Sequence, residues 1–214
     1  MATRVILAHD QEILRAGLKS ILEKHSGMEV VGECGDGRTA LRLCVELLPE
    51  LAILHTRLPE LNGIETARQV RAQCPPTHAI LIAENADRHL ADQALQAGAS
   101  AYLLADSSAA ELQLAITAAT SGGIYITPKA ASVMLGGPKD PRVQGAGAYS
   151  ALSPREREVL QLVAEGRSTP EIATRLSISA RTIDIHRRQL AKKLGLRGVA
   201  ELTKYAIREG ITAL

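Results

Sequence analysis

The segment Leu51-Ala-Ile-Leu-His55 decides the fold class of the first half of this 214-residue chain. It is short, it is apolar up to its last residue, and turn-forming residues bound it. Such a segment is typical of a strand buried on both faces of a parallel sheet. Four further segments share the pattern, namely Arg4–Ala8, Met28–Glu33, His78–Ala83 and Ala101–Leu104.

Helical segments alternate with these strands. The predicted helices are Gln11–His25, Asp36–Leu47, Asn62–Gln73, Asp87–Ala97 and Ser108–Ser121. Five strands alternating with five helices predict a doubly wound, five-stranded parallel sheet of the α/β class. In such folds the functional crevice lies at the C-terminal ends of the strands.

The pattern changes after Ser121. Residues 124–126 predict a short extended piece, and Pro128–Leu135 predicts a linker helix. The Gly- and Pro-rich stretch Gly136–Ala148 is typical of a flexible linker. We therefore expect an α/β domain at residues 1–122, a linker with a short helix at 123–149, and an all-α domain at 150–214.

Helix-capping residues mark where the helices of this last domain begin. Ser153-Pro154-Arg155-Glu156 has the capping-box pattern, with Ser as the N-cap and Glu three residues later. Thr169-Pro170 predicts a second start of the same kind, and Ser179 is predicted to cap Ala180–Leu194. A last helix is predicted from about Val199 to Glu209, which makes four helices.

Composition restricts the partners. The chain has four Tyr and neither Phe nor Trp, which argues against binding single-stranded nucleic acid, because that binding needs aromatic stacking platforms. Residues 150–214 carry 12 Lys/Arg against 7 Asp/Glu, whereas the preceding residues carry 13 against 16. A basic C-terminal domain beside a mildly acidic one suits contact with duplex DNA at one end only.

Neither a membrane helix nor a secretory signal is predicted. No apolar run reaches the roughly 18 residues of a membrane span. The segment Met1–Ala8 is too short for a signal peptide and indicates a first strand. We therefore expect a cytoplasmic protein, in which Cys34, Cys44 and Cys74 are buried reduced thiols without metal-site spacing.

The predicted helix Ala180–Leu194 carries the strongest indication of function. Ile183, Leu190 and Leu194 recur at helical spacing and are predicted to face inward. The other side is predicted to present Arg181, Asp184, Ile185, Arg188 and Lys192. After a short helix and a turn, this face suits insertion into a major groove, and a solvated charged face is the alternative interpretation.

Five motifs of this domain resemble the LuxR/NarL-type helix-turn-helix. They are Leu152-Ser-Pro-Arg-Glu-Arg-Glu-Val-Leu160, Ala164-Glu-Gly166, Glu171-Ile-Ala173, Arg181-Thr-Ile-Asp-Ile-His186 and Lys193-Leu-Gly195. The resemblance covers residues 150–214. It implies a four-helix module that binds double-stranded DNA as a homodimer, with the final helix at or near the dimer contact.

The same resemblance implies roles for single residues. It implies that Asp184, Ile185 and Arg188 contact base edges of the DNA. It implies that Arg181, Thr182 and Lys192 lie near DNA phosphates. His186 matches a common histidine of the family and is interpreted as structural, since it lies on the side of Ile183 and Leu190.

Residues 3–122 resemble the receiver domain of NarL-type response regulators of two-component systems. The matching stretches are Arg4-Val-Ile-Leu-Ala8, Leu58-Pro-Glu-Leu-Asn-Gly-Ile64 and Ala97-Gly-Ala-Ser-Ala-Tyr-Leu-Leu104. In that family acidic side chains on the first strand hold Mg²⁺, and an Asp on the third strand accepts a phosphoryl group. A Thr or Ser and a Lys then bind the phosphate. Tyr102 lies at the family's switch-aromatic position.

The sequence departs from that family pattern at almost every polar position. The first-strand acidic pair is His9-Asp10, and the acceptor position is His55. The hydroxyl position is Ala83, and the lysine position is Ala105. We therefore expect an atypical receiver that does not undergo aspartyl phosphorylation.

Three interpretations of the two histidines remain open. In the first, His9 and His55 are neutral residues that fill a pocket that has lost its phosphorylation residues. In the second, they form a pH- or metal-sensing cluster with Asp10. In the third, His55 itself accepts a phosphoryl group. Two imidazoles and a carboxylate suit zinc or nickel, and histidine titrates near neutral pH. The first interpretation is adopted, so neither a metal nor a cofactor is predicted.

Two functions follow as hypotheses. The first is a sequence-specific, dimeric transcription regulator whose receiver works without phosphorylation, under the control of protein level, a small ligand, a partner or redox state. The second is a protein-interaction module, in which the receiver-like domain docks a partner or ligand and DNA binding is secondary. An enzyme is not predicted, because no Ser/His/Asp set, P-loop or pocket with paired carboxylates is evident.

Overall fold

The computed structural model describes residues 2–24, 27–136, 148–149 and 151–212. The chain forms two compact units, Met1–Pro138 and Lys139–Leu214, and each has its own core. Most of the expected flexible linker, residues 137–147, lies outside the described residues.

A parallel sheet with the strand order β2-β1-β3-β4-β5-β6 forms the centre of the first unit. The strands are β1 (Thr3–Ala8), β2 (Met28–Cys34), β3 (Leu51–His55), β4 (His78–Ala83), β5 (Ala101–Leu104) and β6 (Tyr125–Ile126). The five predicted strands are all present within one residue of their predicted bounds. The prediction of a five-stranded sheet was wrong, because β6 adds a sixth.

Strand β6 holds only two residues, which is why the sequence indicated no more than a short extended piece there. Tyr125 pairs with Ala101 and Ile126 with Tyr102, so β5 fixes the register. Two residues are too few for an alternation that a pattern search detects. Gly122, at a φ of +76°, turns the chain back from the preceding helix to this edge of the sheet.

Helices cover both faces of the sheet, as the doubly wound prediction requires. Helices α1 (Glu12–Lys24) and α5 (Ala109–Thr120) pack on one face through side chains such as Leu22 and Ile116. Helices α2 (Gly37–Leu47), α3 (Gly63–Gln73) and α4 (Arg88–Ala97) pack on the other face. Strand β3 therefore lies between two apolar layers, which explains its unbroken apolar run.

The first residues of four predicted helices serve as N-caps. Asp36, Asn62, Asp87 and Ser108 are extended and accept hydrogen bonds from backbone N–H groups of the first turn of α2, α3, α4 and α5, respectively. A side-chain oxygen at this position satisfies a donor that has no partner within the helix. The predicted helix starts are therefore correct to one residue.

The predicted linker helix is present as α6 (Pro128–Gly136), and it packs within the first unit. Ala130 is 2% exposed, and Met134 packs against the same core. The helix contacts α4 and β5. Strand β6 and helix α6 thus extend the α/β core beyond the five predicted pairs of strand and helix.

All three cysteines are buried and free, as predicted. Cys44 and Cys74 are at most 1% exposed, and Cys34 is 8% exposed. Burial raises the pKa of the Cys34 thiol to about 11 and that of the Cys44 thiol to about 12. A thiol that stays protonated in an apolar core has little reactivity.

Residues 148–149 of the second unit are helical, and four longer helices follow: α7 (Pro154–Ala164), α8 (Thr169–Leu176), α9 (Ala180–Leu194) and α10 (Val199–Arg208). Their core includes Leu160, Ile172, Ile183, Leu190 and Leu202. All four predicted helices are therefore present. One predicted cap was wrong, since Ser168 caps α8 and Thr169 is already its first helical residue.

Within the described residues, no helix combines the length and the apolar character that crossing a bilayer requires.

Candidate functional site

The C-terminal ends of the strands bring the predicted pocket residues together. His9 and Asp10 follow β1, and His55 ends β3, which pairs with β1 in parallel. Ala83 ends β4, and the Ala105 N–H donates to the Ala83 carbonyl oxygen at 2.8 Å. All five predicted residues therefore lie at the C-terminal ends of the strands, where parallel α/β folds place their functional groups.

The two imidazoles of His9 and His55 stack on each other at these strand ends. The ring centroids of His9 and His55 are 4.3 Å apart, and their planes differ by 13°. Both side chains are nearly fully buried, at 3% exposure each. The Oδ1 atom of Asp10 lies 3.2 Å from Nδ1 of His9 and 3.3 Å from Nδ1 of His55, and its carboxylate is partly exposed.

Hydrogen bonding distinguishes the two rings. The backbone N–H of Gln11 donates to Nδ1 of His9 at 3.1 Å, so this nitrogen carries a lone pair rather than a proton. The Nδ1 atom of His55 is buried and lies 3.3 Å from Oδ1 of Asp10, in an alignment too poor for a full hydrogen bond. Its contact with the Asp10 carboxylate is therefore mainly electrostatic.

Burial keeps both histidines neutral. Burial lowers the pKa of His9, and the neighbouring His55 lowers it further. The pKa of His55 is also lowered by burial, although the Asp10 carboxylate opposes this shift. At neutral pH both rings therefore offer lone pairs.

Two glycines allow backbone segments to pack closely near the end of β3. A Cβ atom on Gly63 would overlap the carbonyl oxygen of His55, and one on Gly37 would overlap the carbonyl oxygen of Leu61. The Gly63 N–H donates to the Thr56 carbonyl oxygen at 2.9 Å. These contacts let α3 begin directly against the end of β3.

An ion pair that the sequence analysis did not single out lies beside the histidines. Nη1 of Arg57 is 2.8 Å from Oε2 of Glu84, and both charges act on His55. Nη1 of Arg15 donates to the His9 carbonyl oxygen at 2.6 Å. The signal was available, because Arg57 and Glu84 closely follow β3 and β4 and so end at the same sheet edge.

Tyr102 points into the core. Its side chain is fully buried, and its hydroxyl has no hydrogen-bond partner within the described part of the chain. Burial raises the pKa of this phenol. The inward position explains how one aromatic ring fills a core that is otherwise aliphatic.

The pocket does not suit the Mg²⁺ ion that receiver domains hold. Mg²⁺ prefers an octahedron of oxygen ligands and keeps several waters. At the ends of β1 and β3, one carboxylate stands beside two imidazoles, and imidazole nitrogens suit later transition metals. One carboxylate and two imidazoles are therefore not the ligands that a magnesium site needs.

Helix α9 presents a second candidate site. Ile183 and Leu190 are fully buried on its inner side. Its outer side exposes Arg181, Asp184, Ile185, Arg188 and Lys192, and Ile185 is 42% exposed. Arg181, Ile185, Arg188 and Lys192 follow one another at three- or four-residue spacing, and Asp184 lies beside Ile185, so the five residues form one face, called the outer face of α9 from here on.

Two further α9 residues are partly enclosed. The Thr182 hydroxyl lies 2.8 Å from Oγ of Ser179, which caps the helix, and the Thr182 N–H donates to the same oxygen. His186 is half-buried, and its Nδ1 has no hydrogen-bond partner in the part of the chain described here. Thr182 therefore has a capping role that the sequence analysis did not assign.

Three cations of this unit are engaged in internal contacts. Nζ of Lys193 is 2.7 Å from the buried carboxylate of Glu156 in α7. Arg187 donates to the Thr169 hydroxyl in α8 at 3.0 Å, and Arg155 donates to the Leu176 carbonyl oxygen at 2.6 Å. Part of the positive charge counted from the sequence is thus engaged in internal bonds, and part lies on the outer face of α9.

Comparison with known proteins identifies both units. Residues 5–117 match the family described as response regulator receiver domain, and residues 150–206 match the family described as bacterial regulatory proteins, luxR family. A receiver followed by a LuxR-type domain defines a class of response regulators.

Relatives of the full length place the chain within that class. It is 32% identical over 210 residues to the transcriptional regulatory protein MctR of Rhizobium johnstonii, covering 98% of this chain and 95% of MctR. It is 34% identical over 206 residues to the probable transcriptional regulatory protein NarL of Mycobacterium tuberculosis, covering 96% and 94%. The chain therefore belongs to the NarL/LuxR family of response regulators.

A solved structure shares both units. RcsB from Salmonella enterica serovar Typhimurium, bound to promoter rprA in the presence of the phosphomimetic BeF3−, is 26% identical. The match has a TM-score of 0.56 and covers 95% of this chain and 97% of RcsB.

Proposed function

We propose that this protein is a sequence-specific, dimeric transcription regulator that binds duplex DNA through helix α9 and whose receiver domain works without phosphorylation. The observation that carries the proposal is the outer face of α9, which exposes three cations and two short groups suited to base contacts on a helix whose other side is buried. The relatives named as transcriptional regulators and the promoter-bound RcsB support the part of the proposal that concerns transcription and DNA binding.

The chemistry of each side chain suggests its role in the major groove. Arg188 suits the O6 and N7 acceptors of guanine, Asp184 suits the N4 donor of cytosine, and Ile185 suits the methyl group of thymine. Arg181 and Lys192 lie toward the ends of the same face, and Thr182 lies beside Arg181 in the first turn of α9. All three suit phosphates, which position a protein on DNA without reading its sequence.

Homodimer formation is proposed through helix α10. Leu202, Tyr205 and Ala206 attach α10 to the core, whereas Val199 is 47% exposed at its start. A two-fold dimer presents two copies of α9 to half-sites one turn of DNA apart. A partly exposed helix that follows the DNA-binding helix in the chain suits that arrangement.

Independence from phosphorylation follows from the groups at the strand ends. His55 stands at the acceptor position, and Ala83 and Ala105 offer neither a hydroxyl nor a cation to a phosphoryl group. The remaining carboxylate, Asp10, stands beside two imidazoles rather than a second acid. This pocket cannot form an aspartyl phosphate at the family's acceptor position.

Selection of bound fragments from random duplexes, with the purified full-length protein, tests the first part of the proposal. We expect enrichment of a two-fold symmetric sequence. Absence of enrichment would favour the interaction module as the alternative function, in which DNA binding is secondary.

Footprinting on the selected sequence, with and without beryllofluoride or acetyl phosphate, tests the second part. We expect the same affinity under all three conditions. A change of affinity with beryllofluoride that Asp10→Asn abolishes would contradict a receiver that works without phosphorylation.

A further inference from the structure

We propose that His9, Asp10 and His55 form a binding site for one divalent transition-metal ion of the zinc class, at the C-terminal edge of the sheet. Ligand atoms from all three residues lie within 4.8 Å of one another, and no ion is needed to bring them there. This site would exist whether or not the protein binds DNA, so its test stands apart from the proposed function.

The distances match the geometry of a tetrahedral ion. Ligands at about 2.0–2.1 Å from zinc are about 3.3–3.4 Å from each other when the coordination is tetrahedral. Oδ1 of Asp10 lies 3.2 Å from Nδ1 of His9 and 3.3 Å from Nδ1 of His55. The carboxylate oxygen is therefore already at the spacing that one shared ion requires.

His55 has only a weak partner for its buried nitrogen. Its side chain is 3% exposed, and its Nδ1 faces the Asp10 carboxylate oxygen at 3.3 Å without good hydrogen-bond geometry. A metal ion between these two atoms would bind both. This gives a buried polar atom a stronger partner than the present contact provides.

Binding requires a local adjustment of the rings. The imidazoles are nearly parallel at 13°, whereas two rings that share an ion must direct their lone pairs at one point. We expect a rotation about the Cβ–Cγ bonds to do this, with a small shift of the Nδ1 atoms from their present distances to Asp10, and at His9 it exchanges the hydrogen bond from the Gln11 N–H for the metal.

The donor set also predicts selectivity. Two imidazoles and one carboxylate suit zinc, cobalt, nickel or copper and do not suit Mg²⁺. Three protein ligands leave the fourth tetrahedral position to water, and the partly exposed Asp10 gives the ion a path from solvent. Among the charged groups that act on the two rings, Arg15 and Arg57 are balanced by Asp10 and Glu84, so the surroundings carry no net positive charge that would repel a cation.

The test is a titration of the untagged, chelator-treated full-length protein with Co²⁺ and Zn²⁺. We expect the visible absorption bands of tetrahedral Co²⁺ at one equivalent per chain and their loss when Zn²⁺ displaces the cobalt. A large excess of Mg²⁺ should leave the bands unchanged. Absence of the bands at saturating Co²⁺, together with no heat of Zn²⁺ binding, would overturn the proposal.

Variants assign the ligands. His55→Gln and Asp10→Asn should each weaken metal binding by about 10-fold or more. Asp10→Asn changes a partly exposed side chain and so keeps the test valid if His55→Gln fails to fold. His78→Gln is the matched control, because His78 begins β4 at the opposite end of the sheet and contacts Ser100. Equal affinity in Asp10→Asn, His55→Gln and His78→Gln would show adventitious surface binding and overturn the proposal.

Discussion

Gly63 is the residue on which the geometry of the strand-end pocket most directly depends. Gly63→Ala should destabilise the first unit by about 1–3 kcal/mol or more, because the new Cβ overlaps the backbone carbonyl of His55. Chemical denaturation followed by circular dichroism measures the change.

Gly17→Ala is the matched control for this substitution. Gly17 lies within the exposed part of α1, where a Cβ meets nothing within 4 Å. The same change should therefore stabilise the protein by about 0.5–1 kcal/mol, since glycine is a poor helix former. Equal effects at the two positions would contradict the close packing around His55.

The buried histidines should make the stability of the first unit depend on pH. Their pKa values are lowered by burial, so the unfolded chain takes up protons at a pH where the folded chain does not. Stability is therefore complete above the unfolded pKa of about 6.5 and is lost as the pH falls below it, by up to about 1.4 kcal/mol per pH unit for each ring.

Hydrogen exchange of the β1 and β3 amides, in the presence of a chelator and corrected for intrinsic rates, measures this loss. His55→Gln should reduce the slope, because one titrating ring is removed. A slope that is the same in the variant and in the unchanged protein would contradict a neutral, buried His55.

The outer face of α9 should separate base recognition from phosphate contact. Arg188→Ala should weaken binding to the selected DNA by about 1–3 kcal/mol and relax specificity at one base pair. Lys192→Ala should weaken binding to all sequences similarly and reduce the salt slope by about 1. Titrations at several salt concentrations, with the selected sequence and with variants of it, measure both effects.

Lys193 offers a contrast one residue away. Its ammonium group contacts the buried Glu156, so Lys193→Ala should destabilise the second unit and leave a carboxylate without its cation. An unchanged specificity profile for Arg188→Ala, or a salt slope for Lys193→Ala that falls as much as for Lys192→Ala, would argue against the assignment of this face.

Local sequence signals predicted the elements well where they were strong. Asp36, Asn62, Asp87 and Ser108 are caps whose side chains fix a helix start within one turn, and β3 has an apolar run that both neighbouring layers explain. Strand β6 and the packing of α6 could not be predicted in the same way. Both depend on contacts with β5 and α4, which no short-range pattern contains.

The sequence predicted that His9, Asp10 and His55 lie together at the C-terminal ends of the strands, and the structure places them there. It did not predict how their side chains are arranged. The stacking of the rings and the contact of His55 with Asp10 depend on side-chain torsions that the sequence does not encode locally. The same holds for Lys192 and Lys193, whose different environments only the packing of α9 against α7 reveals.

The whole molecule should bind DNA as a two-fold dimer. Inserting about 5 bp between the half-sites of the selected sequence turns one half-site to the opposite side of the duplex, since one helical turn is about 10–10.5 bp. We expect a loss of affinity of about 10-fold or more, and partial recovery with an insertion of about 10 bp. Gel-shift titrations measure the series, and equal affinity for all spacings would indicate independent monomers.

The two edges of the sheet also bear on how the protein avoids aggregation. Strand β6 has only two residues with which a strand of another chain could pair, and helix α6 begins directly after this strand. The other edge, β2, is seven residues long, and it carries the exposed Glu29 and a Glu33 whose carboxylate pairs with Lys19 at 2.7 Å. Charged side chains on an edge strand disfavour the addition of another strand, so such pairing is disfavoured at both edges of the sheet.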